Sequence, residues 1–241
     1  MRAITAKTAR LPVVALVLLT SAAAAFGGDW PTFRADNARS SGTKVAIPRR
    51  VKALWTFKPE VANGATAPVA AGGTVFIAGS DGVVRAIGAD DGKLRWKAYT
   101  GGAINFPPAI WNGRAYVGSN DGRVYAFDAA TGKKLWQFRV APVERKIPLY
   151  GQIASTWPVA GGVVVDKGVV YAAAGIADYD TTHVCALDAV TGKIKWHNNT
   201  AGIVDRGVNN GVSVHGGLWL EQGKLCFPGG NVYAKATFDL A

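Results

Sequence analysis

At 241 residues, 49% hydrophobic and with 30 glycines, the chain is too apolar and too evenly composed to be disordered and reads as a globular candidate. Its formal net charge of +11 would suit an anionic surface. However, the cations are scattered through turns, with no basic helix or aromatic-basic platform, which argues against nucleic acid as a partner.

Residues 1–25 stand apart. Arg2, Lys7 and Arg10 precede an apolar run from Leu11 to Thr20 and then Ser21 to Ala25, the order of a Sec-type signal peptide cleaved near Ala24 or Ala25. The apolar core is too short to span a bilayer. No cysteine follows the cleavage point and no Arg-Arg pair precedes the core, so the expected location is a periplasm or the exterior, with no integral membrane segment after cleavage. An N-terminal extension over 26–50 contains Asp29-Trp30-Pro31-Thr32-Phe33-Arg34, and Trp30 and Phe33 are expected to pack on the outer edge of the fold. Leu54-Trp55-Thr56-Phe57 reads as a lone strand.

From there the chain repeats itself. Ala86 to Trp96, Ala126 to Trp136 and Ala186 to Trp196 each spell a small residue, a spacer, a turn and Gly-Lys-x-x-Trp. Ahead of each copy lies a β-branched or aromatic run, at Thr74–Ala78, Arg114–Gly118 and Val169–Ala173; Asp81-Gly82 and Asn120-Asp121-Gly122 close the first two. Such runs bounded by Asp-Gly are hairpins. With a further run around Pro68, Pro108 and Pro158, each unit has about four short strands. Trp55, Trp96 and Trp136 stand about 40 residues apart, and Trp196 follows after about 60, which exposes an insertion of about 20. The expected fold is all-β: a β-propeller of four-stranded antiparallel blades at about 67–97, 106–138 and 157–197, with a partial fourth at 213–241 that 51–57 could complete. The last motif stops at Phe238-Asp239-Leu240-Ala241. That reads as a larger propeller cut short, the alternative being a four-bladed ring closed by its termini.

The repeat resembles the tryptophan-docking motif of the pyrroloquinoline-quinone (PQQ) repeat propellers. That resemblance implies that each ring is held between its own motif's alanine and the glycine of the neighbouring blade, so that Ala86, Ala126 and Ala186 with Gly92, Gly132 and Gly192 clamp Trp96, Trp136 and Trp196. The first copy has Gly88 where the others have Asp128 and Asp188, and its turn is expected to lack the aspartate cap. The family includes PQQ-dependent dehydrogenases, in which the quinone lies on the propeller axis, a divalent cation polarises it and an aspartate acts as base. Those enzymes use about eight blades and often a vicinal cysteine pair. No Cys-Cys occurs here, and no Glu, Asn and Asp set matches the family's ligands. The implied reading is an exported, non-catalytic binding or scaffold module, similar to the propeller that assists outer-membrane β-barrel assembly by protein contacts. No catalytic residue, metal or cofactor is expected; PQQ with calcium enters only under the alternative, a fragment of a periplasmic quinoprotein dehydrogenase.

In a four-stranded meander the docking turns share one face with the first hairpin turns. All three elaborations, 139–156, 175–182 and 198–212, fall on the other face, where loops on a rigid frame usually carry binding. They hold Arg145, Lys146, Tyr150, Gln152, Trp157, Asp178, Tyr179, Asp180, Asp205, Arg206, Asn209 and Asn210, a candidate binding face for a protein or a glycan in preference to a small molecule; insertions that merely cap the channel are the plain alternative. Asp178 and Asp180 invite a calcium reading, but two loop carboxylates are usually solvated. His183, His197 and His215 show no metal-ligand spacing. Cys185 and Cys226 are either a disulfide, which export permits, or two buried small hydrophobes.

Overall fold

Short strands joined by glycine turns pair with their sequence neighbours, and the computed structural model shows the resulting stack of meanders. It describes residues 28–46, 49–60, 64–149, 151–177, 180–201 and 211–240; the expected signal peptide, Tyr150, Asp178, Tyr179, Asp205, Arg206, Asn209 and Asn210 lie outside the described residues. The first blade comprises β1 (Val69–Ala71), β2 (Thr74–Ile77), β3 (Val83–Gly88) and β4 (Leu94–Tyr99). The second comprises β5 (Ala109–Trp111), β6 (Arg114–Gly118), β7 (Arg123–Asp128) and β8 (Lys134–Arg139). A separate hairpin, β9 (Lys146–Leu149) with β10 (Gln152–Ser155), occupies the insertion. The third blade is β11 (Val163–Asp166), β12 (Val169–Ala174), β13 (His183–Asp188) and β14 (Ile194–Asn198); β15 (Trp219–Glu221), β16 (Lys224–Phe227) and β17 (Ala236–Asp239) form a three-stranded sheet. Every sheet is antiparallel in sequence order. The sheets do not close into a ring: residues 51–57 form no strand, and they sit against the first blade.

The first strands of neighbouring blades approach one another, β5 lying against both β1 and β11, so they mark the axial side. The fourth strands are the periphery, with Leu94, Leu135 and Ile194 exposed. The core lies between blades. One cluster joins Tyr116 and Val124 of the second blade to Val170 and Leu187 of the third, and another joins Val164 and Tyr171 to Leu225 and Phe227.

Blade-to-blade contact is the same each time. Ala86 faces Trp96, Ala126 faces Trp136 and Ala186 faces Trp196 across the third and fourth strands, each with a bulge just after the alanine. An aromatic on the second strand leans on the ring: Phe76 on Trp96 and Tyr116 on Trp136, with centroids 6.0 and 5.9 Å apart, and Tyr171 on Trp196 at 6.3 Å. The indole then crosses to the next blade. Trp96 Nε1 donates to Ala129 O at 3.0 Å and Trp136 Nε1 to Ala189 O at 3.1 Å, while the rings lie over Gly132 and Gly192. Trp55 makes the same contact with Ala89 O and Gly92, and Trp196 donates to Leu240 O. Cys226 stands at the second-strand aromatic position and Cys185 at that of Tyr125; both are buried free thiols. Burial pushes Cys185 up to about 12.

The first docking turn is capped differently from the other two. In the later copies Asp128 and Asp188 accept from the backbone N–H of Thr131 and Thr191 at 2.9 and 2.8 Å. Where Gly88 replaces them, Asp91 turns inward, accepting from Lys93 N at 3.0 Å and pairing with Arg95. The bond to Lys93 N is the one that Thr131 and Thr191 accept from Lys133 N and Lys193 N in the later copies, so Asp91 takes over the threonine's place and, as expected, no aspartate caps this turn from position 88.

Trp30 and Phe33 do not pack on the outer edge. The segment from Trp30 to Arg39 runs across the axial strands, because those short strands have unpaired edges whose polar groups need partners. Trp30 exchanges backbone hydrogen bonds with Ala70, and Pro31 O accepts from Ile110 N. Asn37 Nδ2 donates to Val165 O, Asn37 O accepts from Leu220 N, each at 2.7 Å, and Arg39 Nε donates to Leu218 O. One strap thus ties the first strands of the three blades and of the β15–β17 sheet. Phe33 reaches inward to meet Phe106 edge-on at 5.5 Å, and Phe106 closes on Gly162 and Gly217.

Two glycines separate docking from turn geometry. Gly132 has φ +74° and a Cβ there would stand 2.7 Å from the Trp96 ring, whereas Gly113, at φ +70°, has nothing within 4 Å. Gly113→Ala is expected to cost about 1–2 kcal/mol, the left-handed penalty alone. Gly132→Ala should cost about 1–3 kcal/mol more because the ring must move. Equal losses in denaturant unfolding would show that Trp96 is not docked.

Candidate functional site

On the face opposite the docking turns, an open cavity of about 520 Å³ lies between the second and third blades, lined by Asn105, Asn120, Leu149, Gln152, Ile176 and His215 among others. The β9–β10 hairpin supplies Leu149 and Gln152. The β12–β13 connection supplies Ile176, whose carbonyl lies 3.3 Å from His215 Nε2. Asn105 Nδ2 donates to Asn120 Oδ1 at 3.1 Å, which fixes one amide by the other. The lining is amide, imidazole and apolar carbon. Such groups both donate and accept without the desolvation cost of a charge. Gln152 was foreseen on this face; Asn105, Asn120 and His215 were not, because isolated polar residues at strand ends carry no sequence signal.

Beside the cavity the structure brings together Arg145, Trp157 and Asp180, which are far apart in the chain. Arg145 stacks on Trp157 with Cζ 4.5 Å from a ring centroid, pairs with Asp180 at 2.9 Å and donates through Nε to Thr156 Oγ1. Trp157 Nε1 in turn donates to Asp180 O at 2.5 Å. The ring is only 6% exposed, so Trp157 is not the open aromatic platform that a glycan-binding reading would use. Lys146 stands at the hairpin edge and pairs with Glu144.

Beneath this bracket lies a histidine pair. His183 Nδ1 and His197 Nε2 are 3.1 Å apart, and Thr181 Oγ1 is 3.0 Å from His183 Nε2. Thr181 Oγ1 already donates its one proton to Asp180 O at 2.6 Å, so it accepts from His183 Nε2–H, which leaves His183 Nδ1 to accept from His197 Nε2–H. His183 is therefore neutral in this network. Burial holds both pKa values below the ordinary histidine value, and the His197 charge lowers His183 further. The pair was illegible by spacing; strand pairing of Cys185 with His197 makes it.

The axial quinone and cation implied by the sequence resemblance were tested against these residues. The axial space holds Phe33 against Phe106, and among the described residues no three His, Cys, Asp or Glu side chains converge as a cation would require. The described residues do not fit a cation-bound quinone there. Also among the described residues, no helix is long and apolar enough to cross a membrane.

A family model described as outer membrane protein assembly factor BamB matches residues 46–157 and, overlapping them, 120–220. The chain belongs to this family of PQQ-like repeats. Solved structures share its fold. A quinohemoprotein alcohol dehydrogenase, ADHIIG, from Pseudomonas putida HK5 matches at TM-score 0.67 and 22% identity, covering 83% of this chain and 34% of that one. The quinohemoprotein alcohol dehydrogenase of Comamonas testosteroni matches at 0.66 and 22%, covering 83% and 35%. A europium-containing methanol dehydrogenase matches at 0.65 and 18%, covering 84% and 43%. At these identities the likeness is one of fold, and the chain spans about a third of the length of the first two. A search of curated proteins gave no match.

The histidine pair makes stability depend on pH. Because folding lowers both pKa values, the stabilisation is complete above the unfolded value of 6.5 and is lost as pH falls below it toward the folded values. The melting temperature is expected to fall between pH 7 and pH 5, and His183→Gln should flatten that slope. A wild-type profile as flat as the variant's would contradict the assigned network.

Proposed function

We propose that this chain is an exported, non-catalytic binding and scaffold module that holds a protein partner at the mouth between its second and third blades. The observation that carries the reading is the mouth itself: an amide-lined cavity walled by a hairpin and by loops braced through Arg145, Trp157 and Asp180. A preformed polar surface of this kind suits hydrogen bonding to a polypeptide, with Gln152, Asn105 and Asn120 offering both donors and acceptors. Membership in a family described by outer-membrane protein assembly favours a protein partner in the cell envelope, and the expected signal peptide favours the periplasm. Under this proposal the docking residues, from Ala86 and Gly92 through Trp96 to Ala186, Gly192 and Trp196, are purely structural.

The experiment places a photo-crosslinking amino acid at Gln152 on the mouth or at Lys193 on a docking turn, in cells. Crosslinks to a component of the outer-membrane assembly machinery from Gln152 and not from Lys193 are expected. The same partners from both positions, or none from Gln152, would overturn the assignment of the mouth.

A second reading, a fragment of a PQQ-dependent dehydrogenase, is favoured by the fold shared with the alcohol dehydrogenases. Titration with PQQ and calcium, read by absorbance and dye reduction, separates the two. Stoichiometric quinone binding with turnover would replace the scaffold reading.

A further inference from the structure

Where the strap crosses the fourth sheet it borders a second pocket, of about 460 Å³, remote in character from the mouth. Its walls include Phe33, Arg34, Arg39, Phe106, Gly217 and Trp219. Three aromatic rings and two guanidinium groups therefore share one concave site. The Cζ atoms of Arg34 and Arg39 each lie 5.4 Å from the centroid of Phe33, so two like charges flank a single ring. Among the described residues neither arginine forms an ion pair. The nearby acid, Asp36, turns its carboxylate to the backbone N–H and hydroxyl of Ser40.

Arg39 has five N–H donors, of which three are committed: Nε to Leu218 O at 2.8 Å, and Nη1 to Thr32 Oγ1 at 2.9 Å and to Phe33 O at 2.7 Å. Its Nη2 donates to no described atom. Burial lowers Arg39 to about 10, against the nearby charge of Asp36, which acts to raise it, and with the charge of Arg34, which acts to lower it. A desolvated guanidinium with no carboxylate hydrogen-bonded to it among the described residues, beside a second cation, is a group whose charge favours an incoming carboxylate. The rings set the rest of the ligand, since planar apolar surface on Phe106 and Trp219 rewards an aromatic body over a bare ion.

We propose that this pocket binds a small aromatic carboxylate, its ring against Phe33, Phe106 and Trp219 and its carboxylate on Arg39 Nη2 and the Arg34 guanidinium. The site needs no contribution from the mouth and does not rest on the scaffold reading. Because Phe33, Arg34 and Arg39 all come from the strap, the pocket exists only while the strap is seated.

The test is calorimetric titration of the full chain with 2-naphthoate, 2-naphthamide, acetate and inorganic phosphate. Naphthoate is expected to bind at least about tenfold more tightly than its neutral amide or acetate, and to weaken with added salt. Arg34→Gln removes an exposed side chain that makes no hydrogen bond to the fold, so it should weaken naphthoate about fivefold or more while leaving the melting temperature unchanged. Trp219→Leu should weaken naphthoate and leave any phosphate binding unaltered. Absence of naphthoate binding, equal binding of the amide, phosphate binding as tight as naphthoate, or affinities unchanged in both variants would each overturn the proposal.

Discussion

The contact on which everything else depends is the indole that leaves its own blade and seats on the next. It combines three requirements that no single residue could meet: a flat apolar ring, a backbone without a side chain beneath it, and a carbonyl at the ring's edge to satisfy the N–H. Gly132 and Gly192 supply the bare backbone, Ala129 and Ala189 the carbonyl. Because the glycine and the carbonyl lie within one tight turn, the dock is local to one face. About 20 extra residues enter between the second and third blades, yet Trp136 sits on Gly192 as closely as Trp96 on Gly132, the Cβ positions standing 2.6 and 2.7 Å from the rings. The insertion is tolerated because it emerges from the opposite face.

The strap solves the complementary problem at the axis. Short first strands cannot satisfy both of their edges, and a stack of meanders that does not close leaves those edges open. A single extended segment serves them in turn, and Asn37 does so twice, with its side chain toward Val165 and its backbone toward Leu220. Docking thus fixes blades at the turns while the strap fixes them at the centre. Two independent ties at different radii resist twisting in a way that either alone would not.

Much of this was legible because repetition makes a weak signal strong. One Gly-Lys-x-x-Trp says little; three at corresponding positions locate the turns, the bulged strand pairs and the rings. What stayed hidden lies where the repeat is broken. The β9 strand is only four residues long, includes Pro148 and follows the charged Glu144 and Arg145, so the hairpin read as plain insertion. In the first turn Asp91 accepts from Lys93 N as Thr131 does from Lys133 N, while the cap lost at position 88 was legible from Gly88 itself. His183 and His197 become partners through strand register, and the strap's bonds are mostly backbone, which sequence does not encode directly. Trp157 shows the converse error: an aromatic in an elaborated loop suggested an exposed platform, but its N–H found Asp180 and its face found Arg145.

The two candidate sites differ in electrostatics for a reason that follows from this construction. At the mouth, the charge of Arg145 is answered by Asp180 and spread over Trp157, and the cavity lining holds no Asp, Glu, Lys or Arg, so little ionic surface has to be desolvated as a polypeptide approaches. At the strap, chain geometry brings Arg34 and Arg39 to the same ring with, among the described residues, no acid bonded to either, leaving positive potential inside an aromatic pocket. A net positive charge spread over the surface would have little selectivity; confined between rings, it selects by shape as well as sign. The fold shared with larger quinoprotein dehydrogenases is therefore compatible with different chemistry here. In this chain Phe33 and Phe106 meet in the axial space, and the two sites proposed for recognition lie at the mouth on one side and at the strap on the other.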